Sequence, residues 1–377
     1  MSIELAQTLM NDFAVATGIT GANLPRRYLW TDAFAVCNYF GLYHQTGAGH
    51  YLQLAETLPK QVHHVLGRHR PDHPHQGWIS GLSDAEGEQH PTRGGLRIGK
   101  KLNERSRSEP WDPQLEWDRD GQYFHYLTRW MHALNRAHQE TGQQQYLNWA
   151  AELAVTAHQS FTYERSSGGP RRMVWKMSIN LSRPLVDSMG HHDPLDGLIT
   201  SLELQAAAGL NAELKSGLTS AINDYLEMCV RGDWATEDAL GIGGLLDSAI
   251  RLMQTDAAQQ TGGPVLLTQL LRDTQISLQH YSRSCALDQP ATHRLAFREL
   301  GLSIGLRGLE LLPDRVARES GVSDLIRELL EFRGLAAQIE SFWSDPNHRR
   351  CSTWIDHGDI NAVMLATSLV PAGYYGV

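Results

Sequence analysis

No stretch of the chain approaches the ~20 consecutive apolar residues that a membrane-spanning helix requires, which excludes a helical span and predicts no membrane partner. Cysteine is scarce: Cys37, Cys229, Cys285 and Cys351 are the only four, and no two form a Cys-x-x-Cys pair. So few thiols in a long chain read as core residues or bystanders in a reducing compartment. The first 19 residues contain Glu4 and Asp12 and lack an apolar run before a small-residue cleavage site, so no signal peptide is expected and the predicted location is cytoplasmic. There is no surplus of positive charge. The formal net charge is −9, against the basic face a phosphate-backbone binder needs, and no nucleic-acid partner is predicted. The local basic stretches, 93–107 and 165–176, fit an anionic group or simply a solvated loop.

Catalytic and cofactor signatures are also missing. There is no Gly-x-Ser-x-Gly. Gly241-Ile242-Gly243-Gly244 follows no strand, so a nucleotide-binding reading fails on context, and close approach of two helices or a tight entry explains it better. No His-x-x-x-His pair sits beside an acidic base, and adjacent residues such as His191-His192-Asp193 rarely converge on one ion. His69, His73 and His75, near Asp72, are loop histidines. No metal and no cofactor are expected. Alternating β-branched runs are nearly absent, so strands should be few.

What the chain does have is helical periodicity. Hydrophobic residues make up 41% of it, enough for a large core. Tyr123, Leu127, Trp130, Met131, Leu134 and Ala137 form one apolar stripe at helical spacing. Leu147, Ala150, Leu153, Ala154, Ala157 and Phe161 form another, and Leu325, Leu329, Phe332, Ala336, Ile339 and Trp343 a third. The same reading predicts twelve helices, near 2–17, 27–45, 50–69, 121–140, 143–163, 194–209, 211–230, 240–255, 264–282, 291–312, 322–343 and 359–369. Short glycine-marked breaks at Thr46-Gly47, Thr141-Gly142, Gly209 and Thr261-Gly262-Gly263 alternate with longer connections at 18–26, 70–120, 164–193, 231–239, 283–290 and 344–358. In an antiparallel stack, alternate connections lie at opposite ends, so the long ones should share one end. Loops of that length usually have a task.

Twelve helices joined in this way predict an all-α fold, six helical hairpins closed into an (α/α)6 toroid as a single domain over 1–377. The alternative, an open α-solenoid, would need a fixed sequence period, and none is present.

The residues at helix starts after long connections are chemically rich. They are Arg26-Arg27-Tyr28, Glu116-Trp117-Asp118-Arg119-Asp120, His191-His192-Asp193, Asp233-Trp234, His293-Arg294, Trp354, and His357-Gly358-Asp359. Helix N-termini offer free N–H groups and a positive dipole end, suited to hydroxyl-rich or anionic ligands. Asp193 precedes Pro194, with Asp196 close behind, and reads first as a helix N-cap; Asp120 and Asp359 can be caps likewise. Capping explains neither the His191-His192 pair nor Glu116 and Asp118 flanking Trp117. His125, among aromatics, reads as a hydrogen-bonded core residue or a ligand contact. The stretch 70–120, with Gly77-Trp78-Ile79 and Arg93-Gly94-Gly95, should be an ordered lid or rim. Trp78, Trp117, Trp175 and Trp354 could stack on a sugar ring or pack internally.

Two phrases carry a family resemblance. Glu140-Thr141-Gly142-Gln143-Gln144-Gln145-Tyr146-Leu147-Asn148-Trp149-Ala150 is similar to the hairpin connections of the six-hairpin glycosidase-like superfamily, and Trp117-Asp118-Arg119-Asp120-Gly121 resembles its aromatic-acidic helix starts. Members hydrolyse glycosidic bonds, open unsaturated glycosides, cleave acidic polysaccharides or epimerise free sugars. The resemblance implies a sugar or oligosaccharide in a central funnel.

Three readings follow. A glycoside hydrolase would use paired carboxyls, with Asp118 or Asp120 from one helix start and Asp193 or Asp359 from another. A sugar epimerase or isomerase would use His191, His192 or His357 as bases. In either, Arg27, Tyr28, Trp78, Glu116, Trp117, His125, Trp175, Trp234, Arg294 and Trp354 are the expected substrate contacts. A non-catalytic helical binding protein is the third. Homo-oligomerisation is left open.

Overall fold

Helix occupies each of the twelve predicted segments. The computed structural model describes residues 2–166, 168–169, 171–230, 232–255, 262–312 and 322–376, and Thr261 of the fourth glycine break lies outside them. Two units are distinguished. The central unit comprises Val15–Val36 and Gln53–Gly232, and the other, here the C-terminal unit, comprises Met1–Ala14, Cys37–Leu52 and Asp233–Val377. Among the described residues no helix is long and apolar enough to cross a membrane.

The central unit is built on two helical hairpins. Phe124–Thr141 returns as Gln144–Phe161, and Asp193–Ala206 returns as Ala212–Cys229. The first helix ends because Gly142 turns left-handed (φ 68°) and its N–H closes onto the carbonyl of His138. Asn211 caps the fourth by accepting the N–H of Leu214. Phe124–Thr141 packs on both Gln144–Phe161 and Asp193–Ala206. Leu127, Trp130, Leu134, Leu147 and Leu153, all fully buried, form the first pair's shared core.

Strands are few and short. Gln122–Tyr123, Lys176–Met177 and Pro184–Val186 form a three-stranded antiparallel sheet with Lys176–Met177 in the middle, and Tyr123 faces Lys176 in register. Thr162–Tyr163 pairs with Arg172–Met173.

In the C-terminal unit, Ala239–Met253 packs on Gly263–Arg283 and on Ala296–Glu310, and Ala296–Glu310 also meets Arg333–Ser344 and Gly358–Leu369. The glycine-rich run at 241–244 does what was expected of it. A Cβ on Gly243 would fall 2.1 Å from the carbonyl oxygen of Gly301, so the two helices touch backbone to backbone there.

Three expectations need correction. The helix predicted over 322–343 is two helices, Ser323–Leu330 and Arg333–Ser344, because the chain tightens to an i→i+3 bond from Phe332 N to Leu329 O. The helix predicted from 121 begins at Phe124, since Gln122 and Tyr123 are drawn into the sheet. The long connection 70–120 contains two short helices. Asp84–Gln89 starts at a capping box of Ser83 and Glu86, and Pro113–Asp118 starts at Asp112, whose side chain accepts from Gln114 N and Leu115 N. Both signals stand in the sequence at the expected spacing.

One buried group makes the central unit acid-sensitive. His63 accepts the indole N–H of Trp130 at 3.0 Å and lies edge-on to Trp149. Burial pushes its pKa down from 6.5 to about 3. Above pH 6.5 both folded and unfolded chains hold it neutral. Below 6.5 only the unfolded chain takes the proton, so stability falls by about 1.4 kcal/mol per pH unit toward pH 3. At pH 5 the expected loss from this residue is about 2 kcal/mol. His63→Gln, which keeps an acceptor for Trp130, should narrow the pH 7-to-5 stability difference by about that amount in urea unfolding. An unaltered difference would refute the assignment.

Candidate functional site

The central unit gathers an aromatic wall around one imidazole. Tyr123 stacks on Trp175 (5.0 Å, 21°), and Trp175 lies nearly parallel to His125 (6.1 Å, 8°). Trp30 and Tyr126 meet His125 edge-on, and Trp117 meets Trp175 edge-on at 5.2 Å. The Tyr28 and Tyr126 hydroxyls share a 2.6 Å hydrogen bond. The wall assembles because register sets Tyr123 at the sheet edge, Trp175 just before the middle strand, and His125 and Tyr126 in the first turn of the following helix.

The indole N–H of Trp175 donates to His125 Nδ1 at 3.3 Å. Burial, helped by the Arg129 cation, pushes the His125 pKa down to about 3. The ring is therefore neutral at physiological pH, and with Nδ1 accepting, its proton sits on Nε2. His125 is suited to donate a hydrogen bond to a ligand oxygen and poorly suited to act as a base.

Of the carboxyls at 116–120, two are committed to the fold. Lys176, fully buried, spends its three donors on Glu116 Oε1 (2.8 Å), the Glu116 carbonyl (2.8 Å) and the Arg119 carbonyl (2.9 Å). Arg105 adds a second cation to Glu116 at 3.2 Å. Asp120 is not the helix cap allowed for in the sequence, because the N-cap position is Tyr123. Instead it is fully buried, taking Arg97 Nη1 on Oδ2 at 2.8 Å and the backbone N–H groups of Gly99 and Gly121 on Oδ1. Asp118 is the exception, an exposed carboxylate at the end of the helix that carries Trp117.

Lys100, which the sequence did not single out, sits beside this group. Its ammonium lies 5.5 Å from the Tyr28 ring centre. Burial lowers its pKa, opposed by the nearby Asp118 and Asp120 charges. Gly99 just before it is held by Asp120, and a Cβ there would fall 2.2 Å from the Arg27 carbonyl oxygen. Trp30, Tyr126, Arg129 and Lys176 were also missed. Their roles come from contacts between segments far apart in sequence, such as Lys176 with Glu116, 60 residues away.

Asp193 also differs from expectation. The cap position is His192, and Asp193 is the first helical residue, with no side-chain cap bond at this helix start. Its side chain is buried, Oδ2 has no hydrogen-bond partner among the described residues, and burial reinforced by the Asp196 charge pushes its pKa up to about 8. Asp196 is paired with Arg129 at 3.3 Å, and Arg129 lies 5.9 Å from the Trp30 ring centre. His191 and His192 have ring centres 4.7 Å apart.

Other expected contacts lie deeper. Arg27 is buried against Asp32 and the Thr17 carbonyl, and Trp78 is 2% exposed beneath Arg68. In the C-terminal unit, Arg294 spends its guanidinium on both Glu299 oxygens (2.8 and 2.7 Å) and the Leu287 carbonyl. Trp354 stacks on the buried Trp343, and Trp234 is buried. His357 is exposed, edge-on to Phe297, and takes the N-cap position of Gly358–Leu369, so Asp359 is not the cap allowed for in the sequence but a first-turn residue.

No protein-family model matches the sequence, and no curated protein matches it. Solved structures do. A GH76 α-mannanase from Bacteroides thetaiotaomicron aligns at 9% identity over 98% of this chain and 96% of its own, with a TM-score of 0.59. A sugar epimerase from a ruminal bacterium aligns at 13% identity over 100% of both chains, with a TM-score of 0.53. A cellobiose 2-epimerase from Spirochaeta thermophila aligns at 12% identity over 97% of this chain and 98% of its own, with a TM-score of 0.50. At these identities the likeness shows the fold, and that fold is the all-α six-hairpin (α/α)6 one expected from the helical hairpins.

Proposed function

We propose that this chain is a carbohydrate-active enzyme that hydrolyses a glycosidic bond in its central unit. The observation that carries the reading is Asp193, a buried carboxyl kept protonated near neutral pH, in the same unit as the aromatic wall. Glycoside hydrolysis needs one protonated carboxyl to give its proton to the leaving oxygen, and a second carboxylate to activate water or attack the sugar carbon. Asp193 takes the first role. Asp118 takes the second, because Glu116 and Asp120 are already engaged by cations and backbone. Trp175 supplies the apolar face for the sugar ring, while His125 Nε2 and Lys100 offer donors to its oxygens. A mannanase among the structural neighbours supports the choice.

The two neighbouring epimerases, and the His191–His192 pair at the start of the helix carrying Asp193, favour a second reading, a sugar epimerase with imidazole bases. One assay separates them. Mannosides, glucosides and free disaccharides are incubated in D2O, and both new reducing ends and carbon-bound deuterium are followed. Hydrolysis predicts reducing ends without deuterium, with Asp118→Asn at least ~100-fold slower. Deuterium at a sugar carbon, without bond cleavage, would replace this reading with the second.

A further inference from the structure

Eight of the ten tryptophans are buried or half-buried. The two exposed ones are Trp111 at 57%, two residues before the short helix Pro113–Asp118, and Trp117 at 54%, in that helix. Exposed indoles on a mobile loop would mean little. These stand on a tightly fastened segment. Asp112 caps the helix, Arg119 forks onto Glu109 at 2.9 and 3.0 Å, and Arg105 and Lys176 both hold Glu116. Leu102 and Leu115, at 43% and 38% exposed, belong to the same stretch. A rigid apolar surface left open to water marks a binding face, because the cost of ordering it has already been met in the free protein.

The occupant follows from continuity. Trp117 meets Trp175 edge-on, so this surface adjoins the ring that holds the sugar in the function proposed above, on which this inference rests. We infer that Trp111 and Trp117 form an outer subsite for further rings of a glycan whose inner ring lies on Trp175. The substrate is then an oligosaccharide or polysaccharide and not a free monosaccharide. Indole faces suit this ligand: each sugar ring offers a face of C–H groups, and stacking tolerates differences in hydroxyl arrangement along the chain.

The test uses the full-length protein. Intrinsic fluorescence titrations with manno- and cello-oligosaccharides of one to six rings are combined with native gels containing soluble mannan or hydroxyethylcellulose. Affinity should rise with ring number in at least one series and level off once the subsite is filled. Trp111→Ala and Trp117→Ala should each weaken binding of the longer members by about two- to tenfold and flatten the dependence on length. Ile276→Ala, which removes an exposed apolar side chain of the C-terminal unit, should retain that dependence. Length dependence that survives in the double variant would overturn the inference, as would failure of every glycan to bind. So would indole removal that changes the oligomeric state and leaves glycan binding intact, since the face would then be a protein interface. Length-dependent, indole-dependent binding with no bond cleavage would support the subsite while refuting the hydrolase reading.

Discussion

Asp193→Asn should lower turnover of glycosides with poor leaving groups by roughly 10²- to 10⁴-fold while raising the thermal midpoint. The first effect is loss of the proton donor. It should shrink for dinitrophenyl glycosides, whose leaving group departs without protonation. In the wild type, kcat/KM should fall as pH rises through about 8, where Asp193 ionises. Asp196→Asn should move that alkaline limb to lower pH, because the Asp196 charge helps hold the proton on Asp193. The rise in stability follows from linkage. The folded pKa lies above the unfolded value of 3.8, so Asp193 is neutral in both states below that pH and costs nothing. As pH rises from 3.8 toward 8, the unfolded chain loses the proton and the folded chain keeps it. At pH 7 that imbalance costs a few kcal/mol, which a neutral amide of the same shape relieves in part. An Asn variant that loses both activity and stability would point to a purely structural carboxyl.

The largest stability effect is expected at Asp120. Asp120→Ala removes the carboxylate partner of the Arg97 guanidinium, which is only 7% exposed and keeps the Arg68 and Val65 carbonyls, and leaves the Gly99 and Gly121 N–H groups without that acceptor. Removing one partner of a buried ion pair costs about 3–5 kcal/mol. For a chain of 377 residues that lowers the melting temperature by roughly 5 °C. Because Asp120 also anchors Gly99, the backbone that presents Lys100 loosens with it. Differential scanning calorimetry decides, and a melt within one degree of wild type would show that Asp120 is not the anchor described.

The contrast between Asp118 and Asp120 shows how far the sequence could be read. Both stand in Trp117-Asp118-Arg119-Asp120-Gly121, and nothing in that phrase separates them. Arg97, 23 residues earlier, separates them by pairing with Asp120 and leaving Asp118 at the surface. Trp117 and His125 were recognisable as candidates because aromatic and imidazole side chains near predicted helix starts are conspicuous, and Trp175 because a tryptophan in a long connection could stack on a sugar. Lys100, Trp30 and Arg129 were not, since a lone lysine, a core-type tryptophan and a helical arginine carry no local mark.

The order of residues alone determined the helices, their glycine stops and the pairing of neighbours into hairpins. Those depend on spacing within about twenty residues, on φ preferences and on the burial of one apolar stripe. Gly142 takes the left-handed turn that stops its helix, and a stripe such as Leu127, Trp130 and Leu134 must find a partner. Tertiary structure decided which of several similar carboxyls and imidazoles is charged, neutral or already paired. Asp193 keeps its proton and His125 loses its own because packing strips water from both, and the charges that tune them, on Asp196 and Arg129, act through space.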